Sequence, residues 1–212
     1  GNRNLGNCIM SELKVDKVSP RSGTDVTLGD SGDTFTLGSG ANIAGLTLSD
    51  NILFDTASKG IYLGTTSATA SNLLDDYEEG TFTPTVTGAT GGDYTTGDGA
   101  TTGSYVKIGN QVTIRGEIHL TAKNSPTGSV RVNNLPFTCE DLTELSERTT
   151  GTCWVAFFNL AADTKNVTPY IFGGQTRFTF IQSKDEAQKL PVDSSDVESG
   201  DEFVFTLTYQ TA

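Results

Sequence analysis

Two stretches in the second half of the chain place an apolar residue at nearly every second position. They are "QVTIRGEIHLTA" (111–122) and "EFVFTLTYQ" (202–210). A period of two residues is typical of an antiparallel β-strand with one buried face. The Gly-Asn pair at 109–110 follows "SYVKI" and predicts a hairpin turn into the first of these strands. The second stretch carries three aromatic residues on one face, so we expect it to lie centrally in a sheet.

Further short apolar runs after residue 80 predict seven or eight strands in all, which suits an antiparallel sandwich or jelly roll. "CWVAFFNL" (153–160) is apolar on both faces, so we expect a strand covered on both sides, with Trp154 in the core. "GATGGDYTTGDGATTG" (88–103) holds six glycines and is predicted to be a flexible loop. One helical turn fits "TCEDLTELSERTTGT" (138–152).

The first third of the chain contains a loose repeat of very short apolar units. "TLG" occurs at 27–29 and 36–38, "TLS" at 47–49 and "YLG" at 62–64. Two apolar residues per unit cannot bury a core within one chain, but repeated units gain stability when several chains share one axis. The residues predicted to line that axis are Val26, Leu28, Phe35, Leu37, Leu46 and Leu48. A disordered Gly/Ser/Thr leader is the alternative.

The pattern therefore predicts an all-β protein in two parts. Residues 1–72 form a thin, intertwined β shaft, which is also a candidate attachment segment. Residues 73–212 form an antiparallel β-sandwich head with a jelly-roll-like arrangement. The shared axis makes the whole protein a homo-oligomer.

Charge restricts the partners. The formal net charge is −12, with 14 Lys+Arg against 26 Asp+Glu. Nucleic-acid binding depends largely on Lys and Arg, and anionic membranes attract basic segments, so neither is an expected partner. No apolar run approaches the roughly 18 residues that a spanning helix needs, so membrane insertion is not expected.

Three cysteines, Cys8, Cys139 and Cys153, form no CxxC pair and no metal-binding spacing. We expect them to be free thiols in a protein assembled in a reducing cytosol. A disulfide between Cys139 and Cys153 remains the alternative.

The stretch "NLLDDYEEGTFTPTV" (72–86) places four carboxylates within five residues, at Asp75, Asp76, Glu78 and Glu79. Glycoside hydrolysis needs two carboxyl groups about 5–10 Å apart around one bond. Neighbouring side chains of an extended chain point to opposite faces, so this spacing favours a solvated junction between shaft and head. We expect no catalytic residues here.

His119 is the single histidine, and it lies on the polar face of a predicted strand beside Glu117. No G-x-S-x-G is present, so we expect a His–Glu contact with mild pH sensitivity in place of a catalytic triad. Neither a cofactor nor a metal site is expected. The Asp-rich turns "GDSGD" (29–33) and "VDSSDVESGD" (192–201) are alternatives for Ca²⁺, but they do not match an EF-hand loop.

Exposed aromatic residues are the remaining candidates for contact with a receptor. Tyr94 lies in the glycine-rich stretch, and Tyr170 lies beside Pro169. Both are better candidates for exposure than Trp154, although the interpretation that they anchor their own loops is favoured over contact with a receptor.

Several of these stretches resemble proteins of tailed bacteriophages. "ELKVDKVSPRSGTDVTLGDSGDTFTL" (12–37) is similar to the opening of fibre and virion-surface proteins of phages that infect cyanobacteria and other marine bacteria. "LLDDYEEGTFTPTV" (73–86), "GSYVKIGNQVTIRGEI" (103–118), "NLPF" (134–137) and "VESGDEFVFTLTYQT" (197–211) resemble the C-terminal domain of phage tail fibres. Family members commonly carry Trp where this chain has Phe82.

The resemblance implies a homotrimer in the virion, assembled in the bacterial host cytoplasm, with a narrow stalk and a β-sandwich head. The expected function is a non-enzymatic tail fibre whose head binds a glycan or protein of the host surface. Its other partners are tail or capsid proteins. Two other functions remain open: a capsid decoration or cement protein, and a polysaccharide-degrading tailspike.

Overall fold

A computed structural model describes residues 51–54, 58–64, 67–97, 99–185 and 189–212. The predicted axis residues, from Val26 to Leu48, lie outside the described residues, so the intertwined shaft and the boundary at residue 72 stay predictions. Leu53–Ala212 forms one compact unit. In the described part of the chain, no helix is long and apolar enough to cross a membrane.

The described residues of this unit form strands and two short 3₁₀ turns, Ala70–Asn72 and Ser194–Asp196. The strands are β1 (Ile61–Tyr62), β2 (Leu73–Leu74), β3 (Tyr77–Phe82), β4 (Thr85–Gly88), β5 (Gly91–Gly97), β6 (Gly103–Ile108), β7 (Gln111–Thr127), β8 (Val130–Asn133), β9 (Thr149–Thr150), β10 (Thr152–Ala156), β11 (Thr164–Ile171), β12 (Phe178–Lys184), β13 (Leu190–Pro191) and β14 (Glu202–Gln210). The predicted all-β class is confirmed.

The long strand β7 links two layers of antiparallel strands. Its first half pairs with β6 and β14, and these lead outward to β3 and β10 respectively. Its second half pairs with β5, from which the sheet continues through β4, β8, β12, β11 and β9. The predicted hairpin is confirmed, because β6 and β7 meet at Gly109 and Asn110, where Gly109 has a φ of 58°.

The two layers face each other across an aromatic core. β14 and β12 are separated along the sheet by four other strands. Nevertheless the ring centroids of Phe203 and Phe180 are 4.9 Å apart, and those of Phe205 and Phe178 are 5.0 Å apart. All four rings are buried. The sheet therefore folds back on itself as a sandwich, in agreement with the predicted architecture.

The final strand, β14, lies between β7 and β10, so it has a neighbour on each side, as predicted. Its apolar face is buried along the strand as far as Tyr209, whose hydroxyl donates a hydrogen bond to the Phe137 carbonyl at 3.0 Å. The predicted helical turn at 138–152 is wrong, because this segment forms turns and the short strand β9.

The prediction of a flexible loop at 88–103 is also wrong. Most of this stretch forms β5 and the start of β6. A Cβ added to Gly92 would lie 2.1 Å from the Ser125 carbonyl oxygen, and the φ of Gly92 is 68°. Glycine here permits two backbones to approach closely, a use of the residue that its abundance alone does not reveal.

Candidate functional site

The main exposed apolar surface is the segment of residues 53–77, here called the apolar segment, of which 55–57 and 65–66 are not described. It exposes seven large apolar side chains, against eight in residues 78–212. Leu53 is the most open, at 89% of its full accessibility. The seven are Leu53, Phe54, Ile61, Tyr62, Leu63, Leu74 and Tyr77. Exposed apolar side chains concentrated in so short a segment make it a candidate surface for contact with another molecule.

Local hydrogen bonds give the apolar segment its shape. β1 pairs with β2, with Ile61 opposite Leu74 and Tyr62 opposite Leu73. The Asn72 side chain donates to the Leu63 carbonyl at 3.1 Å. An isolated two-stranded hairpin is marginal in water, so this arrangement requires further packing to be stable.

The cluster of carboxylates at residues 75–79, here called the acidic bend, has a structural role at the edge of the sandwich. Asp76 forms an ion pair with the largely buried Lys107, and Glu78 accepts a hydrogen bond from Tyr105. Glu79 accepts from Tyr77 at 3.0 Å. The contacts of Asp76 and Glu78 fasten β3, together with the residue before it, to the neighbouring strand β6, whereas the Tyr77–Glu79 hydrogen bond lies within β3. Glu78 and Glu79 are consecutive in β3 and therefore point to opposite faces, so they do not flank one bond.

His119 makes the predicted contact with Glu117, at 3.0 Å from Nε2 to Oε1. It also lies 2.9 Å from Oε2 of Glu202, its partner across the β7–β14 pairing. Sequence reasoning missed Glu202, because only the register of the two strands reveals it. The ligand atoms of these three residues lie within 4.8 Å of one another, so the group has the donor set for a divalent cation.

The Asp-rich turn at 192–201 uses its carboxylates on its own backbone. Asp193 caps the 3₁₀ turn by accepting from the Ser195 N–H at 3.1 Å. Asp201 accepts from the Glu198 N–H at 2.8 Å, and burial raises its pKa. These hydrogen bonds account for the Asp residues as turn formers. The other Asp-rich turn, at 29–33, lies outside the described residues.

The expectation that Tyr94 is exposed is wrong. Only 5% of Tyr94 is accessible, and its hydroxyl donates to the Ser194 carbonyl at 3.3 Å. Burial raises the pKa of this hydroxyl, and Glu198 adds to the shift. Tyr94 lies on the core-facing side of β5, which is flanked by β4 and β7, and it belongs to the buried core cluster. In this chain Tyr94 presents no open ring face to a receptor.

Tyr170 is half-buried on β11. Its ring meets Phe172 edge-on, with centroids 4.6 Å apart, and Lys189 Nζ lies 4.8 Å from its centroid. Phe172 in turn lies 5.7 Å from the guanidinium carbon of Arg148. Tyr170 therefore belongs to an aromatic and basic surface. Its contact with a receptor stays a prediction.

The expectation that Trp154 lies in the core is wrong, since 56% of it is accessible. Among the described strands β10 lies at an edge and pairs with β14 alone, and Trp154 is on its outward face opposite Val204. A run of residues that are apolar on both faces is typical of a strand with other elements packed on each face. In this chain one face of β10 is exposed to solvent, and Phe157, just beyond the strand, is exposed as well.

Cys139 and Cys153 are free thiols, as predicted. Burial raises the pKa of each to about 11, and at Cys139 Glu147 contributes as well. Their Sγ atoms contact backbone carbonyl oxygens, of Glu147 at 3.6 Å and Val167 at 3.2 Å. Cys8 lies outside the described residues.

Comparisons with known proteins bear on the fold. No model of a known protein family matches the sequence, and no curated protein matches it. Among solved structures, the Dettilon tailspike protein is similar, with a TM-score of 0.53 and 18% identity over 63% of this chain. The likeness covers 24% of the tailspike, so this chain spans about a quarter of the length of that protein. At this identity the likeness shows a shared β fold with part of a phage tailspike.

Proposed function

We propose that this chain is a virion protein of a tailed bacteriophage, a homotrimeric tail fibre whose sandwich attaches the particle to the host cell surface. The observation that carries the proposal is the apolar segment. Its exposed side chains need cover, and identical copies that share an axis supply it symmetrically.

Two independent likenesses support the association with a phage tail. The acidic bend, the β6–β7 hairpin and the final strand resemble the C-terminal domain of tail fibres. The fold is similar to part of a phage tailspike. Trimeric attachment also has a physical advantage, because weak contacts repeated on one particle multiply through effective concentration.

The oligomeric state tests the shared interface. We expect light scattering on the full chain to give the mass of a trimer, and a Leu63→Asp variant to dissociate at higher protein concentration than the wild type. Leu145→Asp is the matched control, because Leu145 is comparably exposed in the chain but lies outside the apolar segment. A monomer at all accessible concentrations would contradict the proposal, as would equal behaviour of the two variants.

Two further experiments separate the alternative functions. Gold labelling on intact virions should place the protein on the tail, whereas label on the capsid would indicate a decoration or cement protein. Incubation with host polysaccharide should release no new reducing ends. Rapid release would identify a degrading tailspike and would overturn the structural role given to the acidic bend.

A further inference from the structure

A cavity of about 210 Å³ opens on the outward face of β8 and β12. We call it the arginine cavity, and its lining includes Arg131, Arg177, Ser129, Gln175, Phe172 and Ile181. Arg131 and Thr179 are paired across the two strands, while their neighbours Val132 and Phe178 face the core. The alternation of the strands therefore directs both Arg131 and Thr179 outward.

The two arginines lack acidic partners in the part of the chain that the structure describes. The ion pairs of that part involve other cations. Arg131 donates from Nη1 to the Ala89 carbonyl at 3.1 Å, which holds the side chain in place and leaves its remaining donors free of described hydrogen bonds. Burial, and secondly the charge of Arg131, lower the pKa of Arg177.

Two uncompensated guanidinium groups in one cavity are unexpected in a chain with a net charge of −12. The repulsion between these two positive charges slightly destabilises the folded state. An anion bound between them would make the local electrostatic energy favourable. The planar fork of arginine matches carboxylate, sulfate and phosphate groups with two parallel hydrogen bonds. The electrostatics therefore favour an anionic ligand.

The other residues that line the cavity favour a ligand larger than a small ion. Phe172 is 42% accessible and offers an apolar ring at the cavity. Ser129 and Gln175 add polar side chains suited to hydroxyl groups. The volume is below the roughly 300–1,000 Å³ of cavities that enclose drug-sized ligands, so one sugar unit fits better than an enclosed oligosaccharide.

We propose that the arginine cavity binds one anionic sugar unit of a host-surface polysaccharide, with the acidic group between Arg131 and Arg177 and the sugar ring against Phe172. The inference rests on the proposed attachment function and names the chemistry of its ligand. The acidic group can be the carboxylate of a uronic acid or a sulfate or phosphate ester, since all three offer oxygen pairs to an arginine fork.

Ligand-observed NMR titration of the full-length protein tests this at low salt. The probes are glucuronate, glucose 6-sulfate, glucose 6-phosphate, neutral methyl glucoside and inorganic sulfate. At least one anionic sugar should bind more tightly than both the neutral sugar and inorganic sulfate. High salt should weaken the binding of that anionic sugar. The three anionic sugars distinguish the possible acidic groups. Equal binding of neutral and anionic sugars would overturn the proposal, as would equal binding of inorganic sulfate.

Variants locate the binding. Arg177→Gln should weaken the best anionic sugar roughly ten- to a hundredfold, because a charge-assisted hydrogen bond is lost. Arg115→Gln, which removes an exposed arginine of β7, should leave affinity unchanged. Phe172→Ala should weaken sugar binding and leave inorganic sulfate unaffected; since Phe172 is exposed, this variant tests the cavity even if Arg177→Gln misfolds. Unchanged sugar affinity in Phe172→Ala would contradict the assigned pose.

The oligomeric state is measured on the same samples, which separates the two proposals. A trimer that binds no anionic sugar contradicts the cavity assignment alone. A monomer that binds one contradicts the trimeric fibre and leaves the cavity chemistry standing.

Discussion

Replacing Phe203 with alanine tests the closure of the sandwich. Phe203 is fully buried on β14 and contacts Phe180 of the opposite layer at 4.9 Å between centroids. Phe→Ala substitutions in cores cost about 3–5 kcal/mol, and each aromatic pair adds about 0.5–1.5 kcal/mol beyond its buried area. We therefore expect a loss in the upper half of that range, about 4–5 kcal/mol.

The next residue of the strand provides the control. Val204 points to the outward face and is 40% accessible. Val204→Ala should cost less than about 1 kcal/mol, since it loses only partial burial and some β-propensity. Both substitutions change the same strand, so the difference of about 3–5 kcal/mol measures the packing between layers.

Urea unfolding followed by circular dichroism measures both variants. With a slope near 2 kcal/mol per molar urea, the midpoint should fall by about 2 M for Phe203→Ala and by less than about 0.5 M for Val204→Ala. Protein concentration must be held constant, because assembly contributes to apparent stability. Similar midpoints for the two variants, with unchanged slopes, would show that β14 and β12 do not pack face to face.

Three further substitutions or titrations follow from the same structure. Asp76→Asn should destabilise the protein by about 1–3 kcal/mol in urea unfolding, because it leaves the buried Lys107 of β6 without its carboxylate partner. Asp75→Asn, at the exposed neighbouring residue, should have little effect. Equal losses of stability in the two variants would contradict the anchoring role of the acidic bend. Tyr94→Phe should cost about 0.5–1.5 kcal/mol for its hydrogen bond to a backbone carbonyl, and a neutral result would show that this bond contributes nothing. Cys139 and Cys153 should react slowly with thiol reagents in the native state. Because burial raises their pKa to about 11, stability from the neutral thiols is complete below the unfolded pKa and is lost as pH rises toward 11; native thiols that react as fast as unfolded ones would contradict their burial.

Local pattern predicted those strands whose own side chains carry the signal. β7 and β14 each bury one face, so their period of two residues was sufficient to predict the strand, its inward residues and the hairpin at Gly109. The aromatic residues of β14 also indicated correctly that it has neighbours on both sides.

Elements defined by their neighbours were not predictable in this way. The glycines of β5 indicate flexibility when read locally, but pairing with β7 orders them, and Gly92 is required where two backbones nearly touch. Trp154 lies in an apolar run that predicts full burial. Whether a strand lies at an edge, however, depends on the order of strands in the sheet, which periodicity does not contain.

The candidate site shows the same limit. Arg131 and Arg177 are distant in the sequence, and only the pairing of β8 with β12 brings them to one cavity. Glu202 joins His119 and Glu117 through the register of β14 on β7. Alternation predicts that such polar residues point outward, but it does not say which other residues they meet there.

The two proposals rest on the same physical observation. Each starts from groups that normally have interaction partners in a folded protein but that have none among the described residues. In the apolar segment the missing partner is apolar surface, and sister copies are the source that symmetry offers. In the arginine cavity the missing partner is negative charge. Sister copies carry abundant carboxylates, but a carboxylate of the protein would satisfy the arginines permanently and would give Phe172, Ser129 and Gln175 no role. An anionic sugar uses the charge, the ring and the polar groups together, which is why the cavity is assigned to a ligand and the apolar segment to assembly.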